Sequence, residues 1–126
     1  MEKLFIKETL NSPKVIFDPG KKRYEISGKS FPENARSFYQ PVLDWVGDIP
    51  KSNPDKIRMS FMLDYISSSS VISLKQLLAK IKAMNETGAN IEVLWHYDPT
   101  DIDIKEIGEE YEKVVGIKLQ FVEQPV

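Results

Sequence analysis

The chain has 126 residues, 41% hydrophobic and 29% charged, with a formal net charge of −2 from 17 basic and 19 acidic side chains. This suits one domain over residues 1–126 with a sizeable core, and the near-balance of charge excludes the basic face of a nucleic-acid-binding protein. The absence of cysteine excludes disulfide frameworks and zinc–thiolate sites.

The opening Met1 to Glu8 lacks the long apolar core of a signal peptide, and no apolar run approaches the ~20 residues of a membrane span. A cytoplasmic protein with no membrane partner is expected. Leu4 to Glu8 is a short mixed run and Val15-Ile16-Phe17 an apolar one. Asp18-Pro19-Gly20-Lys21-Lys22 has turn chemistry, in which Pro presets φ and Gly supplies a positive φ. Arg23 to Ser27 alternates with period two, so Val15 to Ser27 reads as a β-hairpin. Gly28-Lys29-Ser30 imitates the end of a phosphate-binding loop, but position 23 is Arg where that motif needs glycine, and the segment follows a hairpin.

Phe31-Pro32-Glu33-Asn34 starts a helix whose apolar face is Phe38, Val42, Trp45, Val46 and Ile49. Pro41 is expected to kink or divide it. Pro50 to Asp55 is a loop. Ile57 to Ile66 reads as a central strand, with Ile57, Met59, Phe61, Leu63 and Tyr65 on one face and Met62 and Ile66 on the other, which suggests burial on both sides. A helix follows from about Ser70 to Glu86 and stops at Thr87-Gly88. Ile91 to Trp95 is a strand, Tyr97-Asp98-Pro99 a turn, Asp101 to Val115 an acidic helix and Ile117 to Val122 a closing strand. The order β-β-β-α-β-α-β-α-β predicts an α/β fold: a mixed, mostly parallel sheet with an N-terminal hairpin and three main helices.

The run Ser67 to Ser70 stands where the central strand hands over to a helix. Unpaired N–H groups and the positive end of the helix dipole meet there. Two readings are open: the serines cap the helix, or one of them accepts a phosphoryl group that the helix start stabilises. His96, the one histidine, permits a small serine hydrolase with Asp98 as its orienting carboxylate, but the nucleophile-elbow pattern is absent. A constitutive interaction module is a further alternative. Asp98, Asp101, Asp103, Glu106, Glu109 and Glu110 lack calcium-loop spacing and read as a solvated helix face or a docking surface, so no metal is expected. Trp45, Trp95, Tyr24, Tyr39 and Tyr111 fall at core-like positions.

Several stretches carry a family resemblance. They are Ile6 to Pro13 with Val15 to Asp18, Ile26 to Asn34, Phe38-Tyr39-Gln40-Pro41-Val42-Leu43-Asp44-Trp45, Leu63-Asp64-Tyr65-Ile66 with the four serines, and Trp95-His96-Tyr97-Asp98. In this joint order they resemble the SiaC family of bacterial regulatory phosphoproteins, nearly end to end. The resemblance implies a STAS-like fold of the anti-anti-sigma type, in which a phosphorylatable Ser or Thr sits at a strand-to-helix junction. It implies a non-enzymatic partner-switching protein without cofactor or catalytic residue. The partners it implies are a kinase resembling anti-sigma kinases, a PP2C-type phosphatase and an effector diguanylate cyclase. The unphosphorylated form would activate that cyclase in cyclic di-GMP signalling and biofilm control. The family's acceptor motif, approximately Leu-x-Tyr-hydrophobic-Asn-Thr-Ser-Ser, lays its threonine on Ser68 and its asparagine on Ser67. Ser68 is therefore the implied acceptor, with Ser69 in reserve, and Asp64, Tyr65, Ser67, Ser69 and Ser70 the implied docking residues.

Overall fold

A computed structural model describes residues 1–51 and 55–124. Strands β1 (Leu4–Ile6), β2 (Lys14–Asp18) and β3 (Arg23–Ser30) come first, followed by helix α1 (Ala35–Gly47). Then come β4 (Ile57–Ile66), α2 (Ser68–Glu86), β5 (Ile91–Tyr97), α3 (Asp103–Val115) and β6 (Gln120–Glu123). The element order is the one read from the sequence. Within the expected loop from Pro50 to Asp55, positions 52–54 lie outside the described residues.

The six strands form one sheet in the spatial order β1-β2-β3-β4-β5-β6. β1–β2 and β2–β3 are antiparallel; β3–β4, β4–β5 and β5–β6 are parallel. Each parallel strand is added on the same side of the last, so right-handed crossovers put all three helices on one face of the sheet. The burial pattern agrees. Val15, Phe17, Tyr24, Ile26, Met59, Phe61, Val93 and Trp95 are buried beneath the helices, while the residues alternating with them on β2 to β5, such as Ile16, Glu25, Ser60, Met62 and Glu92, are half-buried. On that opposite face Arg23 pairs with Glu25, and Lys56 and Arg58 with Glu92.

Two local expectations are corrected and a third, for Pro41, is narrowed. In the hairpin turn the left-handed residue is Lys22 (φ 52°), not Gly20. Helix α1 runs through Pro41 as one element. Pro41 and Ser37, whose carbonyl loses its helical partner, both lie on the exposed side, where water can solvate that carbonyl. In β4 the alternation fails after Leu63. Gly28 pairs with Leu63 but Lys29 pairs with Tyr65, so Asp64 is an extra residue, a β-bulge. The bulge turns Asp64 and Tyr65 outward together and returns Ile66 to the core. β4 is thus buried on its helix-facing side only.

Two glycines shape this end of the sheet. Gly28, opposite the bulge, has φ +108°, and a Cβ there would collide with the Glu8 carboxylate. Gly108 lets α3 lie against β5, since a Cβ would stand 2.7 Å from the Trp95 ring and 2.9 Å from Phe121.

Candidate functional site

The C-terminal ends of β3, β4 and β5 and the N-terminal ends of α1, α2 and α3 share one edge of the sheet, which follows from the parallel pairing. Ser67 to Ser70 occupies its centre. α2 begins at Ser68, two residues before the sequence-based boundary, because Ser67 is the N-cap. Ser67 has extended backbone (φ −72°, ψ 164°), and its Oγ accepts a hydrogen bond from the Ser70 N–H at 3.3 Å. The Ser67 N–H donates to the Ser30 carbonyl at 2.8 Å, which ties the helix start to the end of β3.

The four hydroxyls have different environments. Ser70 is wholly buried, and its Oγ accepts from Ser30 Oγ at 2.8 Å and from Ser67 Oγ at 3.1 Å. Ser30 is wholly buried too and shares a 2.6 Å hydrogen bond with the Tyr39 hydroxyl of α1. Since Ser30 donates to Ser70, Tyr39 donates to Ser30. Burial, opposed by this hydrogen bond, pushes the Tyr39 hydroxyl pKa up to about 12, so it stays protonated and able to donate. Ser69 is exposed and bonds Ser67 Oγ at 3.3 Å. Ser68 is exposed, and its hydroxyl has no side-chain hydrogen bond among the described residues. Its position at the first residue of α2 places it among N–H groups that no preceding turn can satisfy.

A second tyrosine holds the same turn from the other flank. The Tyr111 hydroxyl of α3 donates to the Val71 carbonyl at 2.6 Å. Tyr111 packs edge-on against Trp95, which stacks on Phe61 and donates its indole N–H to the Ile104 carbonyl at 2.8 Å. Burial raises the Tyr111 pKa as well. The first turn of α2 is therefore held by the Tyr111 hydroxyl directly and by the Tyr39 hydroxyl through Ser30. Sequence reasoning assigned Tyr39 and Tyr111 to the core, where both lie, but not to this junction. Tyr39 is 9 residues from Ser30 and Tyr111 is 40 residues from Val71, each pair on different elements, so local spacing gives no signal.

The other sequence candidates are placed as follows. Asp64 is exposed and pairs with Lys29 at 3.4 Å. Tyr65 is exposed and packs edge-on against Phe31 at 5.6 Å between centroids. Ser70 does not line the surface, since its hydroxyl is spent inside the buried network. His96 lines a cavity of about 240 Å³ with Asp64, Asp98, Asp101, Ile104 and others, and none of the four serines lines it. Burial lowers the His96 pKa, partly opposed by the charge of Glu25, and its Nε2 is buried without a hydrogen-bond partner among the described residues. The geometry thus keeps His96 apart from the serine network. Of the acidic set, Asp101, Asp103, Glu106 and Glu110 line a groove between the end of β4 and α3; Glu109 is exposed outside it. No helix among the described residues is long and apolar enough to cross a membrane.

Three comparisons bear on this site. The model of the SiaC family of regulatory phosphoproteins matches residues 6–124. The chain is similar to an uncharacterized protein of Pseudomonas aeruginosa, with 26% identity over 111 residues, 88% of each chain. It is also similar to the solved structure of SiaC of Pseudomonas aeruginosa, with a TM-score of 0.83, 25% identity and all of both chains covered. A crystal structure of the diguanylate cyclase SiaD in complex with its activator SiaC, from the same organism, gives a TM-score of 0.82 at 24% identity over 98% of this chain and 99% of that one, a likeness of fold.

Proposed function

The chain belongs to the SiaC family of regulatory phosphoproteins, and we propose that it is a partner-switching protein whose phosphate acceptor is Ser68. The observation that carries this reading is the division of labour among the four serines. Ser67 is spent as the cap and Ser70 as a buried hub, and Ser69 leans on Ser67. Ser68 alone combines exposure with an uncommitted hydroxyl at the helix start. Ser69 is the second acceptor in reserve.

The protein regulates rather than catalyses. A kinase of the anti-sigma type phosphorylates Ser68 in the cytoplasm, and a PP2C-type phosphatase reverses it. The unphosphorylated form binds and activates an effector. The family, together with the fold shared with the activator of SiaD, supports a diguanylate cyclase as that effector. A phosphoryl group adds about −1.5 to −2 charge beside Tyr65, and a dianion is costly to bury unpaired in an interface. Release follows from desolvation and bulk, without distortion of α2.

Incubation with ATP and a kinase of the anti-sigma type, followed by peptide mass spectrometry, tests the acceptor. Phosphate on Ser68 is the expected result; an unmodified serine run with a kinase shown to be active would overturn it. In titrations against the effector, Ser68→Ala binds like the unmodified protein and Ser68→Asp binds weakly. Equal affinities of the two would sink the switch.

A further inference from the structure

Five of the eight large hydrophobic side chains exposed among the described residues stand at or beside the serine edge: Leu10, Phe31, Tyr65, Ile72 and Ile102. Ile72 lies one helical turn beyond Ser68, on the same face of α2. Next to this apolar patch runs the groove between β4 and α3, with a volume of about 600 Å³. Ile66, Ile104 and Ile107 give it an apolar lining, Asp103, Glu106 and Glu110 supply carboxylates, and no basic side chain lines it. All three carboxylates are exposed and have no ion pair among the described residues. The cation nearest in sequence, Lys105, lies over the Tyr97 ring instead, 5.2 Å from its centroid. The groove shares Asp64, Asp101 and Ile104 with the neighbouring cavity, which His96 also lines.

We infer that this groove docks a segment of the partner that is apolar on one side and carries arginine or lysine along the other. The inference rests on the partner-switching reading and adds the chemistry of what is switched. Isoleucines at the base favour an apolar ridge, and an unbalanced row of carboxylates at the rim favours cations over anions. A guanidinium that enters the adjoining cavity meets the carboxylates of Asp64 and Asp101. The groove touches the serine edge through Tyr65 and Ile66, so a segment seated in it passes beside Ser68.

Two synthetic amphipathic peptides of roughly 15 residues, one Leu/Arg and one Leu/Glu, provide the test, titrated into the full chain and followed by amide chemical shifts. The Leu/Arg peptide is expected to bind, with shifts centred on Tyr65, Ile66, His96 and α3, and the Leu/Glu peptide to give none. The combined variant Asp103→Asn, Glu106→Gln, Glu110→Gln should bind the Leu/Arg peptide about tenfold more weakly and with a flatter salt dependence. Equal affinities for the two peptides, shifts centred elsewhere, or an unchanged affinity in the variant would overturn the inference. Because phosphate mapping on Ser68 uses no peptide, the two readings fail separately: specific peptide binding without Ser68 phosphate removes the switch alone, and Ser68 phosphate without groove specificity removes the groove alone.

Discussion

Ser70 shows how much one hydroxyl can hold in place. It receives hydrogen bonds from β3 and from the cap, so its loss strands two donors, one of them wholly buried. Ser70→Ala should cost about 1–3 kcal/mol, read as a lower urea midpoint with an unchanged slope. Tyr39 gives the network a pH signature. Its folded pKa lies above the ordinary value of 10.0, at about 12. The unfolded chain therefore loses this proton first, and the stability is fully present below about pH 10 and is lost as pH rises toward 12. The loss amounts to about 2–3 kcal/mol for that group. Urea titrations across this range should show a shallower decline in Tyr39→Phe than in the parent chain. An identical decline would mean that other groups, Tyr111 first among them, govern alkaline stability.

At the scale of elements, the bulge in β4 decides what the serine edge presents. Strict alternation would send Tyr65 into the core and Ile66 outward; the extra residue Asp64 reverses both. Gly28 faces the bulge with a backbone conformation that side chains resist. Gly28→Ala should destabilise by about 1–3 kcal/mol, measured by thermal or urea unfolding, and Glu8 must also move aside. The sequence displayed the elements clearly, because period-two runs and helical spacing report burial directly. It displayed the serine junction for the same reason, through a polar run between two apolar ones. The bulge was hidden, since one inserted residue in an apolar strand leaves the composition unchanged. The sequence left open whether Pro41 divides α1, because that depends on whether the freed carbonyl can reach water, which is a property of the packed helix. The hold of Tyr39 and Tyr111 on this junction was invisible, because the residues it joins meet only after four elements, β3 and the three helices, have packed.

For the whole molecule, the site and the core are separable. The core fills the layer between sheet and helices, whereas Ser68 stands outside it at the edge. Phosphorylation should therefore leave the melting temperature within about 4 °C, since a charge at a helix start contributes only ~0.3–1 kcal/mol. Effector affinity should fall by about tenfold or more in the same preparation. A large drop in melting temperature on phosphorylation would point to unfolding of α2 as the cause of release. The strand order has a different bearing, on how the proposed acceptor comes into being. Every strand pairs with the one before it in the chain, so no strand must be inserted between two already joined. A nascent chain can lay the sheet down from its first hairpin outward as it leaves the ribosome. The hydrogen bond from Ser67 to Ser30 closes when β4 docks on β3, but the clamp from Tyr111 closes only after α3 has been made. A kinase that reads the finished junction would thus ignore unfinished chains, and the order of synthesis itself would keep the signal confined to complete molecules.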